Sequence, residues 1–368
     1  MKRIILLSIA FSAIVAAQDF NLTGAGARAE GFGGAFIGLA DDATAVVWNP
    51  AGLAQLEKTE GSIVTRFINQ SASIDVRFDR SLNEDISQGH FTLNFASLAL
   101  PLSLGETKIV AAVAFQRQVD FYANHKSENR GIDFSGVYRI TNRIKNTGGI
   151  NTITPAVSVK LAPYVLLGIS ANIWLGSLES NETYADTRYG TNKYVETADY
   201  SGFNLVFGGM VDFEGMKSAI PLKVGVTLRT PFTLTGDGDW NVAEQFPNLD
   251  ETGTFTVNEN IPYTEKTNMP FMLGLGASYR IGDNFTFAAD FETRNYGDKA
   301  TKTDYSSPNY GNFSEENKIS QSGKNLTELR FGGEYLLVFD SGVIPARLGF
   351  KSVGTELADV DMGGNLSQ

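Results

Sequence analysis

Side chains alternate between apolar and polar at every second residue through most of this chain, in runs longer than an ordinary strand needs. In 269–280, Phe271, Leu273, Leu275, Ala277 and Tyr279 share one face, and Met272, Gly274, Gly276, Ser278 and Arg280 the other. In 285–294, Phe285, Phe287, Ala289 and Phe291 oppose Thr286, Asp290, Glu292 and Arg294. The same period governs 203–211, 223–229 and 329–339. A period of two places side chains on alternate faces of an extended strand, whereas a helix needs a period near 3.6. Most runs reach nine residues, the length with which a tilted strand crosses a bilayer. Strands of soluble sheets average about five or six.

A soluble β-sandwich also alternates, so the rest of the sequence has to choose. Charged residues are 19% of the chain, below the roughly 25% of soluble domains. The 38 glycines, 25 phenylalanines and 13 tyrosines suit a sheet whose outer face meets lipid. Mean hydropathy is only −0.10, and no internal stretch is long and apolar enough for a transmembrane helix. Lipid tolerates only helices and closed sheets, because it offers the backbone no hydrogen-bond partner. The connections 101–107 and 280–284 are short, while 121–130, 178–199, 232–267 and 296–324 are long and polar and read as loops. Short turns on one rim and long loops on the other are the asymmetry of a transmembrane antiparallel β-barrel.

The N-terminus agrees with export. Lys2 and Arg3 precede the apolar run Ile4 to Val15, and Val15-Ala16-Ala17 offers a small-residue cleavage site, so residues 1–17 read as a signal peptide. Its removal leaves 28 basic against 41 acidic residues, a net charge near −13. That balance argues against a nucleic-acid partner. Without cysteine, the exported chain has no disulfide to stabilise it. Residues 18–58 break the period: glycines and alanines interleave, and Pro50 ends any long helix. They read as a compact hatch packed inside something larger. The barrel follows over 59–353, with strands expected at 60–68, 72–79, 88–101, 107–119, 131–140, 150–162, 164–176, 200–212, 219–231, 268–280, 284–296, 325–339 and 342–352. The first two, like their neighbours, can merge, giving eleven to thirteen. Residues 354–368 read as an irregular tail, and because a barrel closes on a strand, they are expected to mark the edge of a C-terminal truncation.

The hatch carries an ordered set of motifs: Gly26-Ala27-Arg28-Ala29, Gly31-Phe32-Gly33-Gly34-Ala35-Phe36, Ala40-Asp41-Asp42-Ala43-Thr44-Ala45 and Trp48-Asn49-Pro50-Ala51-Gly52-Leu53. Together these resemble the long-chain fatty acid and hydrophobic-compound transporter family of the bacterial outer membrane. Ile344-Pro345-Ala346-Arg347-Leu348-Gly349-Phe350 is similar to a late-strand pattern of that family. The resemblance implies about fourteen strands, with a hatch plugging the lumen. It further implies uptake of hydrophobic small molecules with a sideways exit through the wall, beside a kinked strand touching Asn49, Pro50 and Ala51.

Several residues are candidates for a site. Arg28 could bind a ligand carboxylate or pair with a wall acid such as Glu334. Phe32 and Phe36 could line an apolar pocket or fill space. Asp41 and Asp42 are expected to cap helical turns or to bond lumen arginines. The polar strand faces supply Arg229, Asp290, Glu292, Arg294, Arg330, Glu334 and Arg347 as lumen candidates. Trp48 and Gly52 flank the hatch motif, Trp48 as its packing anchor. His90 and His125 each stand alone near a strand or loop boundary, and neither has cysteine company, so no zinc site is expected. No nucleophile elbow supports an enzyme. Thr235 to Trp240 resembles a calcium loop in composition but lacks its spacing. No cofactor is implied. Two functions compete: passive carriage of a fatty-acid-like ligand, with outer-membrane lipid around the barrel, or a non-transporting barrel that binds an outer-membrane or periplasmic protein partner.

Overall fold

The computed structural model describes residues 25–74, 84–105, 107–133, 136–187, 190–216, 220–247, 254–296, 300–308, 311–318 and 326–352. The expected leader, the first residues of the hatch and the tail 354–368 lie outside them. The described chain opens with two short helices, α1 (Ala27–Gly31) and α2 (Ala45–Trp48), and a 3₁₀ turn, Pro50–Gln55. Asn49 starts that turn, its side chain accepting from the Ala51 N–H, with Pro50 at the first turn position, where its missing N–H costs nothing.

Sixteen strands follow in one sheet: β1 (Glu60–Ile74), β2 (Glu84–Leu104), β3 (Thr107–Asp120), β4 (Ala123–Asp133), β5 (Gly136–Ala162), β6 (Val165–Asp186), β7 (Gly190–Asp212), β8 (Leu222–Arg229), β9 (Phe232–Pro247), β10 (Thr254–Met269), β11 (Met272–Ile281), β12 (Phe285–Arg294), β13 (Ala300–Ser307), β14 (Gly311–Lys318), β15 (Leu326–Phe339) and β16 (Gly342–Ser352). The wall runs β1-β2-β3-β5-β6-β7-β8-β11-β12-β15-β16, antiparallel throughout, and β4, β9, β10, β13 and β14 extend it at one end. Among the described residues β1 and β16 do not pair with each other. Pro231 separates β8 from β9 and Pro270 separates β10 from β11, because proline has no N–H for the ladder.

In their described residues the four long polar segments are mainly strands, not loops: 121–130 falls largely in β4, 178–199 in the ends of β6 and β7, 232–267 in β9 and β10, and 296–324 in β13 and β14. Their sequence misleads for a physical reason. Beyond the apolar belt both outer neighbours and solvent are polar, so only the inner face, with Tyr200, Leu234 and Tyr263 buried, keeps an apolar rhythm. The expected strand 131–140 instead falls in two antiparallel strands, the end of β4 at Asp133 and the start of β5 at Gly136, where φ is 114°. Of the two alternatives for 60–79, one strand or two, the described residues show one, with β1 continuing through residue 70 to Ile74.

The two faces of the wall are inverted relative to a soluble protein. Outward, Ile63, Leu98, Val113, Leu167, Phe203, Val226, Leu275, Phe287 and Phe331 are exposed, a continuous apolar belt unsuited to water. On β6 it runs from Val165 to Leu175 before Ser177 and Glu179 replace it, close to the nine to eleven residues of a tilted membrane strand. Inward, Gln116, Thr152, Ser158, Asn172, Asn204, Asp290 and Glu292 are buried. No helix among the described residues is long and apolar enough to cross a membrane.

Candidate functional site

The N-terminal segment sits on the inner face, and a row of small wall residues makes the seat. A Cβ at Gly168 or Gly208 would overlap Asn49, Pro50 or Ala51. One at Gly225 would overlap Ile37, at Gly276 Gly38, at Gly332 Phe32, and at Gly349 Gly33. Strand register makes these positions neighbours: Ser158 pairs Gly168, Gly168 pairs Gly208, Gly225 pairs Gly276, and Gly332 pairs Gly349. Removing side chains along this row lets two backbones touch. Polar wall groups then fix the contact. Asp290 accepts from the Phe36 and Ile37 N–H groups at 2.7 and 2.8 Å. Ser278 donates to Gly38 O at 2.8 Å, and Ser158 to Ala51 O at 3.0 Å. Asn49 Nδ2 bonds Ile37 O and, across the interface, Gly209 O.

The candidate residues fall into three groups. Arg28 pairs with Asp41 and with Glu334 at 3.2 Å, and lies 5.9 and 5.6 Å over the Phe32 and Phe36 rings. Arg347 joins Glu334 at 2.5 Å. Phe32 and Phe36 are fully buried, packed edge-on to each other, with Phe36 against Trp48. Asp42 caps the turn by accepting from Thr44 N and Oγ1, whereas the arginine Asp41 bonds is the hatch's own Arg28. Trp48 is tied by Nε1 to Ala25 O, and a Cβ on Gly52 would overlap Ala40 O.

The second group is a buried ion network. Arg294 contacts Glu292 at 2.9 Å and Glu328 at 3.1 Å; Arg330 contacts Glu328 at 2.6 Å and Glu292 at 3.1 Å. Two arginines shared between two glutamates satisfy charges that would be costly alone. Sequence reading missed Glu328, although it lies two residues before Arg330 on the same strand face. Arg229 stands beside this network, in a cavity of about 20 Å³ between Ile37, Val47 and Trp48 of the hatch and Val206, Met272 and Glu292 of the wall. That volume holds about one water, and no hydrocarbon.

The third feature is a seam in the wall. β2 pairs β3 only as far as Phe95↔Gln116. Above this, β2 pairs β1 alone, and β4 pairs β5 alone. Side chains bridge the gap. His90 Nε2 lies 3.1 Å from Asp120 Oδ2, and its ring stacks on Tyr122 at 4.0 Å. The Asn124 N–H donates to Gln88 Oε1 at 2.8 Å. Burial opposes the Asp120 carboxylate, but bonds from His90, the Tyr122 N–H and Thr92, with Arg117 near, hold its pKa below the ordinary range. His90 is therefore neither solitary nor at a strand boundary, and His125 lies within β4 and has an interaction partner. Among the described residues no group of three or more His, Cys, Asp or Glu is placed to hold a metal.

Residues 27–336 match the BamG family. The chain belongs to the BamG family. Solved structures of the same fold include the CymD monoaromatic hydrocarbon channel, 14% identical over 92% of this chain and 86% of that one, with a TM-score of 0.58. The Ralstonia pickettii toluene transporter TbuX is 12% identical over 86% and 83%, with a TM-score of 0.53. A Pseudomonas aeruginosa FadL homologue is 12% identical over 91% and 82%, at 0.54. At these identities the likeness is one of fold: a largely antiparallel, barrel-like sheet shared with outer-membrane hydrocarbon channels. No curated protein matches the sequence.

Proposed function

We propose that this BamG-family chain is a multi-pass β-barrel of the Gram-negative outer membrane, plugged by the hatch 18–58, that passively carries fatty-acid-like hydrophobic or amphipathic molecules inward. The observation that carries the reading is the inverted wall, apolar outside and polar within, its interior occupied by the N-terminal segment, in a fold shared with hydrocarbon channels. The molecules leave sideways. An apolar molecule avoids full hydration if it passes from the lumen into the bilayer. The seam between β2 and β3–β4 supports such an exit, since among the described residues no strand pairing crosses it and bonds that involve side chains bridge it. The hatch motif touches the wall elsewhere: Asn49 to Ala51 rest against β5, β6 and β7, so in this reading the hatch and the seam move separately.

The second reading, a barrel that binds a protein partner and carries nothing, draws on the tightness of the hatch and on the long hairpins at one rim. Mild purification followed by mass spectrometry of bound small molecules separates the two. Bound fatty acids or hydrocarbons support carriage. A stoichiometric protein partner with reproducibly no small molecule supports the second reading and sinks the first.

A further inference from the structure

The chain carries net charge −11, yet one surface reverses the sign. On the outward face of the β4–β5 hairpin, register sets Lys126 directly across from Arg143, Arg130 across from Arg139, and Asn124 across from Lys145. All five cations are exposed, and Glu128, opposite Thr141, is the one carboxylate of that face among the described residues. Glu128 bonds Arg130 at 3.0 Å and Arg139 at 3.2 Å, leaving Arg143 and Lys145 with no ion pair among the described residues. Like charges directly across a ladder destabilise it; Glu128 offsets this for Arg130 and Arg139, but Lys126 across from Arg143, with Lys145 two residues on, has no stabilising role in the isolated protein. An anion spread over them removes that repulsion.

Position selects the anion. Arg139, Arg143 and Lys145 share the outward face of β5 with its part of the apolar belt, Ile153, Pro155 and Val157, which follow them in the sequence. Lys145 lies eight residues beyond Ile153, about 26 Å along a strand at 3.3 Å per residue, or roughly 18–20 Å of height at a barrel strand's tilt. The patch thus faces sideways, over the leaflet surface, at the level of a large sugar headgroup. Arginine and lysine both suit phosphate, arginine through its planar fork.

We propose that this face binds the phosphate groups of a glycolipid in the outer leaflet, an inference that rests on the outer-membrane reading above. The test uses the full chain in phosphatidylcholine vesicles containing either diphosphorylated lipid A or its dephosphorylated form, measuring glycolipid retained per protein after detergent extraction. A few-fold contribution from each basic residue near an anionic surface predicts that the phosphorylated form is retained at least about tenfold better, and that Lys126→Ser, Arg143→Ser and Lys145→Ser together abolish the difference. These side chains are exposed, and heat-dependent gel mobility checks that the variant inserts. Equal retention of both lipids overturns the proposal. So does inorganic phosphate binding the detergent-solubilised chain through the same three residues, which would mark a free-phosphate site, or an acidic protein bound there without glycolipid preference. Failure of the wild-type chain to insert into either vesicle overturns the outer-membrane reading itself.

Discussion

At the residue scale, the N-terminal segment, the proposed hatch, is held by what the wall lacks. Gly225 has Ile37 O where a Cβ would stand, with Asn49 Nδ2 beside it. The obstruction is backbone, which cannot rotate away as a side chain would. Gly225→Val is predicted to cost about 3 kcal/mol and to displace the hatch, read as faster hydrogen exchange at 36–52 with the wall strands unchanged. Asp290 supplies the hydrogen-bond acceptor of the seat. Asp290→Ala leaves the Phe36 and Ile37 amides buried without an acceptor, a loss of about 2–4 kcal/mol, measured by urea unfolding in lipid vesicles. Little of this was legible in the sequence. Gly274 and Gly276 stood visibly on a polar face, but a glycine in a strand reads equally as a bulge, a weak spot or a close approach. Only register across six strands shows that Gly168, Gly208, Gly225, Gly276, Gly332 and Gly349 serve one contact. The Arg28–Glu334 pair could be anticipated, because a hatch cation needs a partner and Glu334 alternates inward. The third and fourth partners, Asp41 and Arg347, depend on the local fold of the hatch.

At the scale of elements, the strands were legible where one face meets the belt and illegible above it. The alternation of 285–294 located β12, whereas Asn181, Glu182 and Thr183 in β6 or Asn258, Glu259 and Asn260 in β10 read as loop. The outer hairpins carry titratable groups of consequence. Tyr263 Oη donates to Glu196 Oε1 at 2.6 Å, and burial, with Glu196 close, pushes Glu265 up to about 7. Glu265 pairs Gly236, fourteen residues along from the start of β8, which places it beyond the belt. Because its folded pKa lies above the ordinary 4.5, the folded hairpin holds the proton more tightly. That contribution is full below about 4.5 and is lost as pH rises to about 7. Protection from exchange in β9 and β10, each rate taken relative to the intrinsic base-catalysed rate at that pH, is predicted to fall between pH 5 and 8 in the wild type and to stay constant in Glu265→Gln. The seam has the opposite sign. Asp120 has a lowered pKa, so its clasp holds above the ordinary carboxylate value and fails only as pH falls through the lower folded one. Asp120→Asn is predicted to speed exchange at 117–124 at neutral pH, and an unchanged rate would deny the clasp a role.

At the scale of the whole molecule, two facts define the problem of carriage. The wall is apolar outside and polar within, and the cavity beside Arg229, between the N-terminal segment and the wall, has about 20 Å³. In the carriage proposed above, a hydrocarbon too large for that cavity passes when the N-terminal segment shifts on its glycine seat and the seam opens to one side. The chain has no native cysteine, so a reversible lock is simple to install. Ala51→Cys with Ser158→Cys places one thiol on each side of a contact that is 3.0 Å from hydroxyl to carbonyl oxygen. The decisive measurement is uptake of a labelled long-chain fatty acid by outer-membrane vesicles carrying this double variant, before and after oxidation. Uptake that falls to the level of empty vesicles on oxidation and recovers on reduction is the predicted result. Uptake that is unchanged with the hatch covalently fixed to β5 would contradict it.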